Sequence, residues 1–141
     1  GFTEKSGGIA TNIGVHFFDM LHFVYGALQE NIVHLNTPTK AAGYLEYERA
    51  RVRWFLSLEV GDVPEAERAK GKRTYRAVVA DGKDIEFSDG FTELHTRIYE
   101  EVLAGRGFGV EENRVAISTV AQIRTAPLAS LGDLSHPFAG R

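Results

Sequence analysis

The first element that the hydrophobic pattern predicts is a helix over about residues 12–25. Apolar residues recur there at i, i+4, i+7 and i+11, which places them on one stripe at about 100° per residue. The members of this stripe are Ile13, Phe17, Met20 and Val24. We expect this stripe to face the core, Thr11 or Asn12 to cap the start of the helix, and Gly26 to end it.

Strand patterns follow this helix. They cover residues 31–36, 44–59, 74–80 and 83–87. The run 44–59 is long enough for two strands or one bent strand, and its second half alternates between apolar and mostly polar residues. The apolar positions of that half are Val52, Trp54, Leu56 and Leu58. Asp81 and Gly82 separate the last two runs and predict a tight hairpin turn. The charged stretch 61–72 contains Pro64 and predicts an exposed loop.

Two further helical patterns close the chain. The first begins at about Phe91 and is expected to end at Gly105. Its candidate caps are Ser88 and Asp89. The second begins near Glu111, where an acidic first turn suits the helix dipole, and is expected to end near Pro127.

This order of elements predicts an α+β fold in a single domain over residues 1–141. An open, largely antiparallel sheet is expected to carry helices packed on one face. Its other face would need a partner, and aromatic residues of the long strands are expected to lie there. These residues are Tyr44, Tyr47, Trp54 and Phe55. The open face therefore predicts a homo-oligomer, with dimer and tetramer both left open.

Composition narrows the class of protein. The chain has 43% hydrophobic and 25% charged residues, which is typical of a soluble globular protein. Its net charge of −3 gives no electrostatic signature for nucleic acid or an anionic membrane. No apolar run approaches the roughly 20 residues of a membrane span. The absence of cysteine excludes disulfides and thiolate metal sites and favours a cytoplasmic enzyme.

The densest cluster of candidate functional residues lies at the start of the first helix. On a helical wheel Asn12, His16 and Asp19 share one polar stripe beside the apolar one. An amide, an imidazole and a carboxylate within two turns can hold the hydroxyls of a sugar and take a proton from one of them. Gly7 and Gly8 allow the backbone to approach a ligand closely, and the N–H groups of a helix start favour an anionic oxygen.

Structural explanations compete with this interpretation. Asn12 could cap the helix, His16 could be a core histidine, and Asp19 could pair with an arginine. Helix geometry alone favours this structural alternative, because polar residues at helix starts are usually caps. A metal site built from His16, Asp19 and His22 is rejected, because His22 points to another side of the helix.

Three other features are weaker candidates. His95 lies among apolar residues at helical spacing, which favours a core residue over one that lines a site. A charged run could form ion pairs across strands, or Arg49 within it could face an anionic ligand, and structural pairing is favoured. The run consists of Glu46, Glu48, Arg49, Arg51 and Arg53. The glycine-rich stretch 105–109 follows a helix rather than a strand, so a dinucleotide-binding fingerprint is rejected.

The stretch 7–26 carries a recognisable pattern. Its members are Gly7, Gly8, Asn12, Gly14, His16, Asp19 and Gly26. The pattern resembles the start of the C-terminal domain in the glucose-fructose oxidoreductase / inositol dehydrogenase / MocA (Gfo/Idh/MocA) family, where a glycine pair precedes Asp-x-Gly-x-His-x-x-Asp. Residues 5–21, 48–57 and 90–96 are most similar to the bacterial UDP-N-acetylglucosaminuronate 3-dehydrogenases of this family.

The resemblance implies roles for individual residues. The histidine of the family falls on His16, as an acid/base or substrate-orienting group near the reacting carbon. The first acidic position falls on Asn12, a departure, because an amide does not usefully accept a proton at neutral pH. Asp19 is expected to support His16. The expected substrate-binding residues are Asn12, Thr11, Lys5 and Ser6.

The resemblance also implies a function for the whole enzyme. An NAD-dependent dehydrogenase would oxidise the C3 hydroxyl of a UDP-N-acetylated hexuronate, for surface polysaccharide (O-antigen) biosynthesis. NAD would be bound mainly by an N-terminal Rossmann domain that is absent from this chain, so the isolated chain is expected to be inactive. No metal is expected. The alternatives are a related oxidoreductase for another sugar or cyclitol, and a non-catalytic oligomerisation or binding domain.

Overall fold

The structure is a computed structural model that describes residues 7–86, 88, 94–107 and 109–140, with the side chains of 94 and 95 excepted. The chain divides into two compact units. The sheet unit comprises residues 1–58 and 109–141, and the hairpin unit comprises residues 59–108. Among the described residues, no helix combines the length and the apolar character needed to cross a membrane.

The sheet unit begins with a helix that changes its winding. A π-helical turn, Ala10–Gly14, leads directly into the α-helix α1, Val15–Tyr25. Gly26 ends α1 as predicted, with φ of 89° and its N–H donating to the carbonyl of His22 at 2.9 Å. The predicted caps are wrong: Thr11 and Asn12 lie inside the π turn, and no side chain caps the helix start.

The buried face of this helix also differs from the predicted stripe. Phe18 and Leu21 are the buried residues of α1, whereas Val24 is 48% exposed. Ile13 packs against the core as expected. A π turn takes one residue more than an α turn, so the apolar stripe moves by one position beyond Gly14. The prediction assumed a uniform α-helix and is wrong from that point onwards.

Three antiparallel strands form the sheet in the order β1-β2-β3. They are β1 (Leu28–Asn36), β2 (Lys40–Tyr47) and β3 (Ala50–Ser57). The predicted long run therefore contains parts of two strands. Side chains on one face of the sheet pack against the helices, where Trp54 meets Phe18 edge-to-face with ring centroids 5.3 Å apart. Leu45 and Val33 lie fully buried in the same core.

The second face of the sheet is not the open aromatic surface that the sequence predicted. Tyr47 and Trp54 belong to the helix-facing core, not to this face. Phe55 points the other way, where the rings of His136 and Phe138 lie 5.6 and 5.7 Å from it. Tyr44 is only 3% exposed. The C-terminal segment thus covers part of the face that was expected to be open.

The described residues of the hairpin unit form a 3-10 turn, two helices and two strands. They are Val60–Asp62, α2 (Glu65–Ala69), β4 (Ala77–Ala80), β5 (Lys83–Glu86) and α3 (Leu94–Leu103). The hairpin turn is confirmed, because Asp81 and Gly82 have φ of 50° and 75°. The stretch predicted as loop contains the 3-10 turn and α2, which begins directly after Pro64. This short helix escaped prediction because it has no apolar stripe.

The predicted boundaries of the two later helices agree with the structure at the positions that it describes. Gly105 follows α3 in the left-handed region, with φ of 74°. The expected start of that helix, including the candidate cap Asp89, lies outside the described residues. The last helix, α4 (Val110–Thr125), has the acidic first turn that was predicted. There Glu112 accepts a hydrogen bond from the Gly109 N–H at 2.9 Å.

Candidate functional site

The helix start is built around two glycines in the left-handed region. Gly7 and Gly8 have φ of 76° and 81°. Thr11 Oγ1 donates a hydrogen bond to the Gly7 carbonyl at 2.8 Å, and Asn12 Nδ2 donates one to the Gly8 carbonyl at 3.0 Å. Both polar side chains therefore turn back onto the glycine pair. In these two hydrogen bonds the side chain is the donor, whereas a capping side chain accepts from a backbone N–H group.

His16 and Asp19 open into the same cleft between α1 and α4. The cleft has a volume of about 260 Å³. Its lining residues are Val15, His16, Asp19, Asn113, Ala116 and Ile117. His16 and Asp19 are both exposed, so the alternative of a core histidine is wrong. Asn12 is exposed as well but does not line this cleft. The structure thus brings together two of the three members of the predicted polar stripe.

A second cleft adjoins the glycine pair. Its volume is about 220 Å³. It is lined by Gly7, Gly8, Ile9, Ala10, Asn36, Thr37 and Arg124. Backbone of the helix start forms one wall, the end of β1 forms another, and the last turn of α4 contributes a guanidinium group. The cleft therefore combines the positively charged residue Arg124 with the backbone of two glycines, Gly7 and Gly8.

Sequence reasoning missed Asn113 and Arg124. Both lie on α4, about a hundred residues after the motif at the helix start, and neither belongs to a motif of its own. Only the packing of α4 against α1 and the π turn brings them to the two clefts. No local signal in the sequence could have found them.

The other candidates lie elsewhere or cannot be compared. Lys5 and Ser6 lie outside the described residues, as does the side chain of His95. The guanidinium of Arg49 donates to the Val24 carbonyl at 2.8 Å, near the end of α1. The favoured pairing across strands is confirmed within the run that contains Arg49. Arg51 on β3 and Glu46 on β2 are register partners, and their side chains lie 3.6 Å apart.

His22 is not among the residues that line the cleft of His16 and Asp19. This agrees with the helical wheel, which placed His22 on another side of the helix. Within the described part of the chain, no group of three or more histidine, aspartate or glutamate side chains is placed to hold a metal ion. An exposed imidazole can exchange a proton with a ligand in the cleft.

Comparisons with known proteins show which proteins have a similar sequence and fold. Residues 1–70 match the family described as "Oxidoreductase family, C-terminal alpha/beta domain", abbreviated Gfo/Idh/MocA. A crystal structure of the WlbA (WbpB) dehydrogenase from Thermus thermophilus, in complex with NAD and alpha-ketoglutarate, is 50% identical with a TM-score of 0.90. The match covers 98% of this chain and 46% of that one.

A crystal structure of the same Thermus thermophilus dehydrogenase in complex with NAD and UDP-GlcNAcA is 52% identical, again with a TM-score of 0.90. Here the match covers 96% of this chain and 44% of that one. The chain therefore spans slightly less than half the length of these relatives. Sequence and fold agree, and this chain belongs to the Gfo/Idh/MocA oxidoreductase family, whose C-terminal domain it matches with an α+β fold.

Proposed function

We propose that this chain is the substrate-binding half of an NAD-dependent dehydrogenase that oxidises the C3 hydroxyl of a UDP-N-acetylated hexuronate. One observation carries the proposal: 52% identity over 96% of the chain to a dehydrogenase crystallised with NAD and UDP-GlcNAcA. The proposed biological role is the synthesis of surface polysaccharide (O-antigen) sugars. We also propose that the enzyme is cytoplasmic and that it forms a homo-oligomer.

His16 is the proposed acid/base group. Oxidation of a secondary alcohol to a ketone removes a hydride from carbon and a proton from the hydroxyl oxygen. The imidazole of His16, exposed in its cleft, can accept that proton in its neutral form. Asp19 lines the same cleft and is proposed as structural support for His16. NAD, when bound, supplies the hydride acceptor.

The described residues do not fit the phosphates of NAD. Such a site requires a glycine-rich loop between a parallel strand and a helix. The three-stranded sheet of the described residues is antiparallel, and the glycine pair leads into a π turn. We therefore assign NAD binding to the other half of the enzyme, and we expect the isolated chain to be inactive.

Substrate binding is assigned to the start of the helix. The proposed residues are Asn12, Thr11, Lys5 and Ser6. The amide and hydroxyl groups suit the hydroxyls of a sugar, while an ammonium group suits a diphosphate. Together with His16 they would hold the sugar ring so that its C3 hydroxyl faces the imidazole, which is the positioning that this half of the enzyme contributes.

The test is His16→Asn in the full-length protein, assayed by the NAD-dependent oxidation of UDP-GlcNAcA. We expect kcat to fall roughly 10²-fold or more, because general acid–base catalysis contributes about that much. His22→Asn is the matched control on the same helix but outside the cleft, and it should keep kcat within about threefold of the wild type. An unchanged kcat for His16→Asn would refute the assignment of His16. A panel of UDP-sugars tests the substrate, and a lack of turnover with UDP-GlcNAcA would refute that part.

A further inference from the structure

The side chains of Thr11 and Asn12 make the same kind of hydrogen bond in consecutive positions. Each donates to the carbonyl oxygen of the residue four positions earlier, at 2.8 Å for Thr11 and 3.0 Å for Asn12. The two acceptors are Gly7 and Gly8, which both have positive φ. We call these two hydrogen bonds the glycine clamp.

The clamp requires the residue types that are present. A Cβ atom on Gly7 would lie 2.6 Å from Thr11 Oγ1, so a side chain there would displace the hydroxyl. Positive φ at two successive residues also favours glycine, because other residues are strained in that region. At position 12 the group that meets the carbonyl must donate. An amide does so, whereas a carboxylate would place acceptor against acceptor.

The clamp acts where a ligand can bind. Gly7 and Gly8 form part of the wall of the 220 Å³ cleft that also contains Arg124. Two glycines have more accessible backbone conformations than any other pair, so this wall needs an external constraint to keep one shape. The side chains of Thr11 and Asn12 are themselves absent from the lining of that cleft.

We propose that Thr11 and Asn12 are positioning residues that hold Gly7 and Gly8 in the shape that receives the substrate. This inference rests on the proposed dehydrogenase function and refines it, because it adds to the proposed direct contacts of both side chains a contribution to substrate binding through the glycine pair. The clamp lowers the conformational entropy that the glycine pair loses when the substrate binds. Its loss therefore raises KM more than it lowers kcat.

The first experiment uses steady-state kinetics of the full-length protein with UDP-GlcNAcA and NAD. Thr11→Val keeps the shape of the side chain but loses the donor, and we expect KM for the sugar to rise roughly fivefold to tenfold with kcat within about threefold. Thr11→Ser keeps the donor and should restore KM. Thr125→Val is the matched control, because Thr125 donates to the Ala121 carbonyl at 2.9 Å in the same i−4 geometry on α4. It should change neither constant.

Asn12→Asp distinguishes the clamp from a direct catalytic role at position 12. The variant is nearly isosteric, removes the donor and adds a group that could serve as a base. The clamp predicts a roughly tenfold rise in KM and no gain in kcat at any pH. A kcat that equals or exceeds that of the wild type and rises with pH, at unchanged KM, would overturn the inference for Asn12.

A second measurement separates the clamp from the proposed function. Hydrogen exchange of the peptide amides in residues 8–14 should be several-fold faster in Thr11→Val than in the wild type or in Thr125→Val, with no substrate present. If the wild type does not oxidise UDP-GlcNAcA but exchange is accelerated in this way, the proposed function fails and the clamp stands. If neither exchange nor KM changes in Thr11→Val, the clamp is wrong.

Discussion

Gly43→Ala tests the close packing that supports the helix-facing side of the sheet. Gly43 lies in the middle of β2, opposite Val33 on one side and Trp54 on the other. A Cβ atom added there would lie 2.9 and 3.0 Å from two atoms of the Trp54 indole and would overlap the Ile32 carbonyl oxygen. The carbonyl belongs to a paired strand, so it cannot move without disturbing the ladder between β1 and β2.

The expected loss of stability follows from two opposing terms. Overpacking of a filled core costs typically about 1–3 kcal/mol. Replacement of glycine by alanine reduces the entropy of the unfolded chain and returns about 0.4–1 kcal/mol. We therefore expect Gly43→Ala to lower the free energy of unfolding by about 1–2 kcal/mol, and Tm by roughly 3–8 °C.

Urea unfolding of the chain measures this loss. The chain contains a single tryptophan, so its fluorescence reports directly on the indole that the new methyl group would displace. Gly132→Ala is the control in the same unit, because a Cβ there meets no atom within 4 Å. The urea midpoint of Gly132→Ala should indicate a free energy of unfolding within about 0.5 kcal/mol of the wild type. Equal midpoints for the two variants would refute the reasoning.

Two further predictions concern the same core. Phe18→Ala removes a ring that is 2% exposed and packs edge-to-face on Trp54, so it should cost about 3–5 kcal/mol in urea unfolding; a loss below about 1 kcal/mol would contradict this packing. Burial raises the pKa of Tyr47 to about 12, and its hydroxyl has no hydrogen-bond partner among the described residues. Because the unfolded pKa is about 10, the stability that neutral Tyr47 contributes is complete below that pH and is lost as pH rises through about 12. Tyr47→Phe should match or exceed the wild type in stability at neutral pH and escape this part of the alkaline loss, as measured by unfolding at a series of pH values.

The order of elements could be predicted from sequence because its signals are local. Asp81 and Gly82 adopt the positive φ values that their turn requires, and Gly26 ends the first helix as its position indicated. The helix start could not be predicted in the same way. Thr11 and Asn12 can donate as well as accept, and the choice between a cap and the glycine clamp depends on the π turn, which has no marker in the pattern.

The placement of the aromatic residues shows the second limit. Period-two alternation separates Tyr44 and Phe55 from Tyr47 and Trp54, but it does not say which face is covered. The C-terminal segment that covers Phe55 has neither helical nor strand periodicity, so the sequence contains no sign of its position. The candidate functional site is limited in the same way, because only residues that are close in sequence could be grouped in advance. His16 and Asp19 lie one helical turn apart and were found together, whereas residues of α4 that complete both clefts are distant in sequence.

The path of the C-terminal segment has a consequence for solubility. After α4 the chain runs beside β1, where Leu128 forms a parallel bridge with Val33 and the Ala129 N–H donates to the Val33 carbonyl at 2.8 Å. Strand β1 is an edge strand, and an uncovered edge offers a template on which another chain can pair. By occupying that edge, the segment blocks the kind of strand addition that leads to aggregation. A protein shortened at Pro127 would lose this protection together with the cover over Phe55.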